Sequence, residues 1–238
     1  GFVPDDVRIY FFTGAQHNPY AALVPAGVCE QQPNILDYRP ILRALLAALH
    51  DWVRTGRPPP ESRYPRITDG TLVPPEKVAW PAIPNATFAG PVVNRHRIYD
   101  YGPLFDRGII TTVPPLTTHL EYAVLVPQVD GDGNEIAGIR LPAVSAPTGT
   151  RTGWALRARS GAAGELCNQD GSYIPFALTK EERMATGDPR PSIEERYPDA
   201  GARAVDRLRR ERFILEEDAG RLLEPATVGA TATKAIHP

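Results

Sequence analysis

The sequence contains one methionine, Met184, and begins at Gly1. A translated reading frame opens on methionine, so the expectation is a processed chain or a piece of a longer one. Cysteine is almost as scarce. Cys29 and Cys167 are the only two, too far apart for a CxxC redox motif or a zinc ribbon. Each lies among polar and turn residues, which leaves two readings open: a disulfide closing a long loop, or a pair of free thiols. Long apolar runs are missing too. The best stretch, Ile41 to Leu49, is broken by Arg43 and falls well short of the ~18 residues of a membrane span. No secretory leader, lipidation or retention signal is legible. An excess of positive charge is also absent. With 26 Lys and Arg against 28 Asp and Glu, a net charge of −2 and a pI near 6.2, nucleic acid is not an expected partner. His96 and His119 stand alone without metal-ligand spacing, so neither a metal nor another cofactor is expected.

What is present is a globular composition with a surplus of proline. Hydrophobic residues at 42% and charged residues at 23% are enough to bury a core and unlike a disordered polymer. The 26 prolines are about twice the average usage of ~5%. Together with 20 glycines they predict many turns and short elements.

Val7-Arg8-Ile9-Tyr10-Phe11-Phe12, β-branched and aromatic and closed by Thr13-Gly14, predicts a buried strand. His17 follows at once in the loop Ala15-Gln16-His17-Asn18-Pro19. After an irregular stretch to Asn34 comes the strongest helix signal. Asp37 is the expected N-cap, Pro40 suits the first turn, and Ile41, Leu42, Leu45, Leu46, Leu49, Trp52 and Val53 form one apolar stripe; Gly56 and Pro58-Pro59-Pro60 end it. Such a stripe packs on a sheet or helix, so strand and helix predict an α/β layer larger than themselves. From Arg57 to about Thr118 the chain is dense in proline, which excludes one continuous helix and suits an ordered wrap across a larger body. Tyr122–Pro127 and Ile136–Leu141 read as strands of a β-hairpin around Asp130-Gly131-Asp132-Gly133-Asn134. Beyond Phe176 the signal is helical. Thr179 with Glu182 and Ser192 with Glu195 match capping boxes, Ala202–Leu215 and Glu216–Leu223 read as short amphipathic helices, and the end from Thr227 is expected to fray. The expected division is a core piece over 1–56, a Pro-rich wrap with a hairpin over 57–178 and a helical segment over 179–238.

His17 is the main candidate for chemistry. A histidine just past a strand and before an amphipathic helix occupies the topological place of the general base in α/β-hydrolases, whose triads run Ser, then Asp or Glu, then His. There a neutral imidazole takes a proton from a serine hydroxyl and returns it to the leaving group. No nucleophile elbow accompanies it. None of Ser62, Ser145, Ser160, Ser172 and Ser192 lies in a G-x-S-x-G sequence, and Asp5 and Asp6 sit at the wrong end of the strand to be the acid. A catalytic His17 therefore needs a serine and an acid from elsewhere. The acidic run Asp130 to Glu135 resembles the start of a calcium loop, but Glu135 stands where glycine belongs, so a hairpin turn is expected. The arginines at 207, 209, 210 and 212 alternate with acids as on a solvated helix face.

The sequence resembles the C-terminal portion of a bacterial group of esterase-like α/β-hydrolase domain-containing proteins. The residues that carry this are Val7-Arg8-Ile9-Tyr10 through Thr13-Gly14-Ala15-Gln16-His17 and Asp37-Tyr38-Arg39-Pro40-Ile41-Leu42-Arg43-Ala44-Leu45. Pro59-Pro60-Glu61-Ser62-Arg63-Tyr64-Pro65, Gly138-Ile139-Arg140-Leu141-Pro142, Thr152-Gly153-Trp154 and Gly171-Ser172-Tyr173-Ile174-Pro175-Phe176 add to it. The resemblance implies an α/β fold of which this chain is the last part: final core strand, histidine loop, amphipathic helix, Pro-rich extension and helical end. It implies His17 as triad base, with serine and acid upstream, and a small-molecule ester as substrate. It also favours pairing Cys29 with Cys167, since members of this type look exported, to the periplasm or outside the cell.

Two readings follow. One is a serine hydrolase whose other part supplies nucleophile and acid, this chain being inactive alone. The other is a non-enzymatic β-rich interaction module that folds alone and binds through exposed aromatics such as Trp80 or Trp154. A G-x-S-x-G in upstream coding sequence separates them.

Overall fold

In the computed structural model of the chain, the described residues are 3–18, 26–158, 162–196 and 199–222. Residues 7–12 run extended, as their β-branched and aromatic content favours. They form the middle of a three-way join instead of one strand in a broad sheet. Tyr10 bridges Arg63 and Phe12 bridges Ile139, both in parallel. Arg63 N–H donates to Ile9 O, Phe11 N–H to Arg63 O, and Ile139 N–H to Phe11 O. The expectation of a buried strand is corrected by alternation: Tyr10 and Phe12 turn toward the core, leaving Val7 and Ile9 39% and 41% exposed. Gly138 permits the second bridge. Its φ is +96°, and a Cβ there would lie 2.6 Å from Phe11 O.

Helix α1 spans Arg39–Thr55 and stops at Gly56 in the left-handed region. Tyr38, not Asp37, is its N-cap; Asp37 accepts instead from the Arg39 N–H at 3.1 Å. The single predicted stripe divides into two that run side by side, as a turn of about 100° per residue allows. Ile41 and Ala44 are buried and Leu45 packs on the same core. Leu42, Leu46, Leu49 and Val53 are exposed, Leu46 at 68% and Val53 at 81%.

The remaining elements are short, as the proline content demands. They are β1 (Leu72–Val73), β2 (Arg97–Asp100), β3 (Leu116–Glu121), β4 (Val126–Pro127), α2 (Pro142–Ser145), β5 (Gly149–Thr152), β6 (Ser172–Pro175), α3 (Lys180–Thr186), α4 (Ala200–Arg210) and α5 (Glu216–Ala219). Antiparallel pairing joins β1 to β4, β2 to β3 and β5 to β6 in three two-stranded sheets. The broad α/β layer expected from the first strand and helix is therefore not found among the described residues.

The expected hairpin keeps its turn and exchanges its strands. Asp130 N–H donates to Asn134 O, Gly133 N–H to Asp130 O, and Val129 bridges Glu135. Past that point the arms diverge, Val126–Pro127 to β1 and Ile139 to Phe12. A different hairpin, β2–β3, lies inside the Pro-dense stretch. Alternation does not reveal it, because its outward apolar residues Leu116 and Leu120 are 61% and 65% exposed and no face is consistently buried.

At the helical end, Thr179 accepts from the Glu182 N–H and caps α3. Ser192 gives both its N–H and its hydroxyl to Glu195, but no helix follows. These bonds, with the Arg183 guanidinium, hold the Glu195 carboxyl down to about 2. Helix α4 ends at Arg210 and α5 at Ala219, both short of the expected Leu215 and Leu223; the fraying expected from Thr227 falls outside the described residues. One core gathers Tyr38, Ile41, Ile139, Val144, Leu208 and Phe213, so residues before, within and after the Pro-rich stretch share it. Tyr10 meets Phe213 edge-on at 5.9 Å, and Arg43 of α1 pairs with the buried Asp218 of α5.

The β5–β6 sheet is clamped by a buried ion pair. Arg190 is 2% exposed and bonds Asp188, the Thr150 hydroxyl and the carbonyls of Ile174 and Pro175. Removing one partner strands the other's charge away from water. Arg190→Ala is expected to cost about 3–5 kcal/mol in urea unfolding, whereas Arg210→Ala, which removes an exposed pair with Asp206, should change stability by less than about 1 kcal/mol.

Candidate active site

The His17 loop is held from its root. The Thr13 hydroxyl donates to Ala137 O at 2.6 Å, and the Gly14 N–H donates to Glu135 Oε2 at 2.7 Å. Asn34, buried, donates from Nδ2 to Gly14 O and to Thr152 O of β5, while its Oδ1 accepts from the Leu36 N–H and the Arg151 guanidinium. Gln16 is also buried; its amide nitrogen donates to Asn18 O and Leu36 O, which leaves Oε1 enclosed without a partner among the described residues.

His17 itself is fixed through its main chain. Its N–H donates to Gln169 O at 3.0 Å, and the Tyr38 hydroxyl donates to its carbonyl at 2.7 Å. The residue is exposed, and its imidazole has no hydrogen bond within the described residues. It borders a cavity of about 390 Å³ lined by Ala15, Gln16, Gly153, Trp154, Leu166, Asn168 and Gln169. Gly153 can pass this close because it has no side chain: a Cβ there would lie 2.7 Å from Ala15 O.

Cys29 and Cys167 form a disulfide with their Cα atoms 5.7 Å apart, which decides between the two readings of the cysteines. Cys167 directly precedes Asn168 and Gln169, so the bridge anchors the strip of chain that accepts the His17 N–H.

A second cavity, about 350 Å³, shares Trp154 and Leu166 with the first. Trp80, Phe88 and Trp154 form one wall, with ring centroids 5.4 to 5.9 Å apart. Trp80 and Trp154 are accordingly half-buried in a mutual cluster and not the exposed aromatics expected of an interaction module. Glu135 and Arg151 supply the charged groups of this cavity. Burial pushes the Glu135 carboxyl up to about 7, the bond from Gly14 drawing it back only in part. Burial likewise lowers the affinity of the Arg151 guanidinium for its proton.

The other candidates are structural. Asp130 pairs with Arg140 and Asp132 with Arg196, each at 2.7 Å, so these acids face separate arginines. No group of three potential metal ligands converges among the described residues; His96 and His119 are exposed. Ser62 accepts from the Ile9 N–H, Ser145 donates to Leu141 O, Ser172 to Trp154 O and Ser192 to Glu195. None of these four hydroxyls bonds His17, and Ser160 lies outside the described residues. Glu135 is the residue sequence reading missed. The one available signal was a carboxylate at the start of an apolar segment, which the calcium-loop comparison absorbed.

The model for an alpha/beta hydrolase domain matches residues 4–224. The chain belongs to that family, and membership points to hydrolase chemistry on a small-molecule substrate. No curated protein and no solved structure matches it. No helix among the described residues is long and apolar enough to cross a membrane.

The disulfide spans 138 residues, and replacing both cysteines with serine is expected to cost about 4–5 kcal/mol through the freed unfolded chain. The melting temperature should fall by on the order of 10 °C; a fall of under about 2 °C would exclude this role. Glu135 gives a pH-dependent effect. Its folded-state carboxyl titrates near 7 against an ordinary 4.5, so the folded state keeps a proton that the unfolded chain has released. Stability from this group therefore falls as pH rises from about 4.5 to 7 and stays lowered above that, by about 3 kcal/mol. Glu135→Gln, which keeps an acceptor for Gly14, should raise the urea midpoint at pH 8 and leave it nearly unchanged at pH 5; an equal change at both would count against the titration.

Proposed function

We propose that this chain is part of a serine hydrolase that cleaves carboxylic esters, with His17 as general base and acid. The observation that carries the reading is the way His17 is held. Its main chain is bonded on both sides while its imidazole stands free at the edge of a cavity, which is how a proton-transfer group is kept in place without occupying the nitrogens it needs.

In this reading the serine and the acid come from residues upstream of the chain, because no G-x-S-x-G exists in its 238 residues. The serine Oγ attacks the ester carbon as the His17 imidazole takes the Oγ proton. His17 then gives that proton to the departing alkoxide, which leaves as the alcohol, and the acyl group stays on Oγ. A water attacks the acyl carbon, its proton passes to His17 and on to Oγ, and the free acid departs.

The open apolar face of α1 supports a missing body. Leu42, Leu46, Leu49 and Val53 form a stripe of helical period that is exposed among the described residues, and Val7 and Ile9 are likewise open. A large parallel sheet, on which the serine elbow of this family's fold is built, is the kind of surface that covers such a stripe. The disulfide supports an oxidising location, periplasmic or secreted.

Expressed from its complete reading frame, the protein should react with a fluorophosphonate probe and hydrolyse p-nitrophenyl esters. His17→Ala should lower kcat by about 10⁴-fold or more, while the isolated 238 residues show no turnover. Undiminished hydrolysis by the His17→Ala protein would remove His17 from the mechanism.

A further inference from the structure

We propose that the cavity lined by Trp80, Phe88 and Trp154 is a substrate subsite that takes an apolar ring bearing a hydroxyl group, the ring packing against these three aromatic side chains and the hydroxyl donating a hydrogen bond to Glu135. Its role as a subsite rests on the hydrolase reading. Its ring recognition does not.

At about 350 Å³ the cavity is of small-ligand size, since such sites begin near ~300 Å³. Its walls are mostly apolar, and the stacked rings of Trp80 and Phe88, with Trp154 tilted against them, give it an aromatic wall that favours another ring by offset or edge-to-face contact. Val93 and Asn94, just before the β2–β3 hairpin, and Val126 and Pro127, just after it, lie on the cavity wall. The β2–β3 hairpin is therefore tethered to the cavity wall on both sides.

One carboxylate fixes the polar end. Glu135 spends Oε2 on the Gly14 N–H, and its Oε1 has no hydrogen-bond partner among the described residues. An acceptor left open in an apolar cavity selects a ligand with a matching donor, because a ligand without one leaves it desolvated and unpaired. A hydroxyl fits better than an ammonium. The Arg151 guanidinium belongs to the same cavity and offsets the charge of the Glu135 carboxylate, so the site lacks the net negative charge a cation needs.

The cavity also connects to the chemistry. Trp154 and Leu166 line both this cavity and the His17 cavity, and Gly14 joins Glu135 to the loop that carries His17. An ester held with its carbonyl beside His17 therefore has a path for a ring on one side. The substrate class is esters whose acyl or alcohol part carries a hydroxyaryl group.

The test begins with calorimetric titration of the 238-residue chain, at pH 8 where the Glu135 carboxyl is largely ionised, with 4-ethylphenol and with 4-ethylanisole, which keeps the ring and loses the donor. The phenol should bind saturably with Kd below about 1 mM, and the anisole at least about tenfold more weakly. Val93→Phe, which fills the cavity, should abolish phenol binding with an unchanged circular dichroism spectrum; the two-ligand comparison on the native chain stands if that variant does not fold. Equal affinity for phenol and anisole, absence of saturable binding, or tighter binding of trimethylphenylammonium would overturn the proposal. In the protein expressed from its complete reading frame, kcat/KM for methyl 3-(4-hydroxyphenyl)propanoate should exceed that for the 4-methoxy analogue at least about tenfold. Phenol binding without turnover of any ester would overturn the hydrolase reading and the subsite role while ring recognition stands. Turnover without phenol selectivity would overturn the subsite and leave the hydrolase reading intact.

Discussion

Asn34 holds the candidate site together. Its side chain reaches Gly14 O at the root of the His17 loop, Thr152 O at the end of β5, the Leu36 N–H ahead of α1 and the Arg151 guanidinium. Three segments distant in sequence, around Gly14, Asn34 and Thr152, thus share one buried amide with both ends used, the condition under which a buried polar network rigidifies instead of destabilising. Gly171 completes the join from another direction. With φ +64° it lies so near Thr152 O, Asn34 and Gln16 that a Cβ has no room, and the Asn34 N–H donates to Asp170 O beside it. His17, Gln169 and Trp154 keep their relative positions because each is within a few residues of this knot.

The arrangement explains how a chain with so little regular structure can carry an ordered cavity. The sheets among its described residues have two strands each, and short strands pack weakly by themselves. Order comes instead from side chains that tie loops to backbone: Arg190 across β5 and β6, Asn134 to the Arg151 N–H and Gly149 O, and Gln128 to Lys77 and Ala79. Proline adds to this by lowering the conformational freedom of the unfolded chain. The Pro-rich stretch read from sequence as a wrap supplies Trp80 and Phe88 of one cavity wall, so its irregularity and its contribution to the site have the same origin.

Legibility in the sequence followed the range of the interactions. Helix α1 and its Gly56 stop, the Thr179 cap of α3 and the Asp130–Asn134 turn are set by neighbours within a few residues, and all were readable. Strand partners were not, because they are chosen by distant backbone: nothing near Val126 indicates Leu72, and nothing near Ile139 indicates Phe12. His17 could be singled out since its signal is local, a histidine between an extended apolar segment and an amphipathic helix. Glu135 could not, since its meaning depends on Gly14, 121 residues away, and alternation misleads there: Ile136 is 38% exposed while its acidic neighbour turns inward.

The two stripes of α1 carry the same point to the scale of the whole fold. A helix with one apolar stripe is satisfied by one neighbour, and Ile41, Ala44 and Leu45 already have theirs in Ile139, Val144 and Leu208. The second stripe, Leu42 to Val53, adds helix-period apolar surface that this core does not use, and exposing it to water works against folding at about 25 cal/mol per Å². Sequence selects such a pattern where a helix is sandwiched between two bodies. The first body is the one described: the core that positions His17. Val7 and Ile9 are exposed as well, on the extended segment that leads directly into the His17 loop. In the proposed hydrolase, the body that covers this stripe would be the one that brings the serine and the acid to His17.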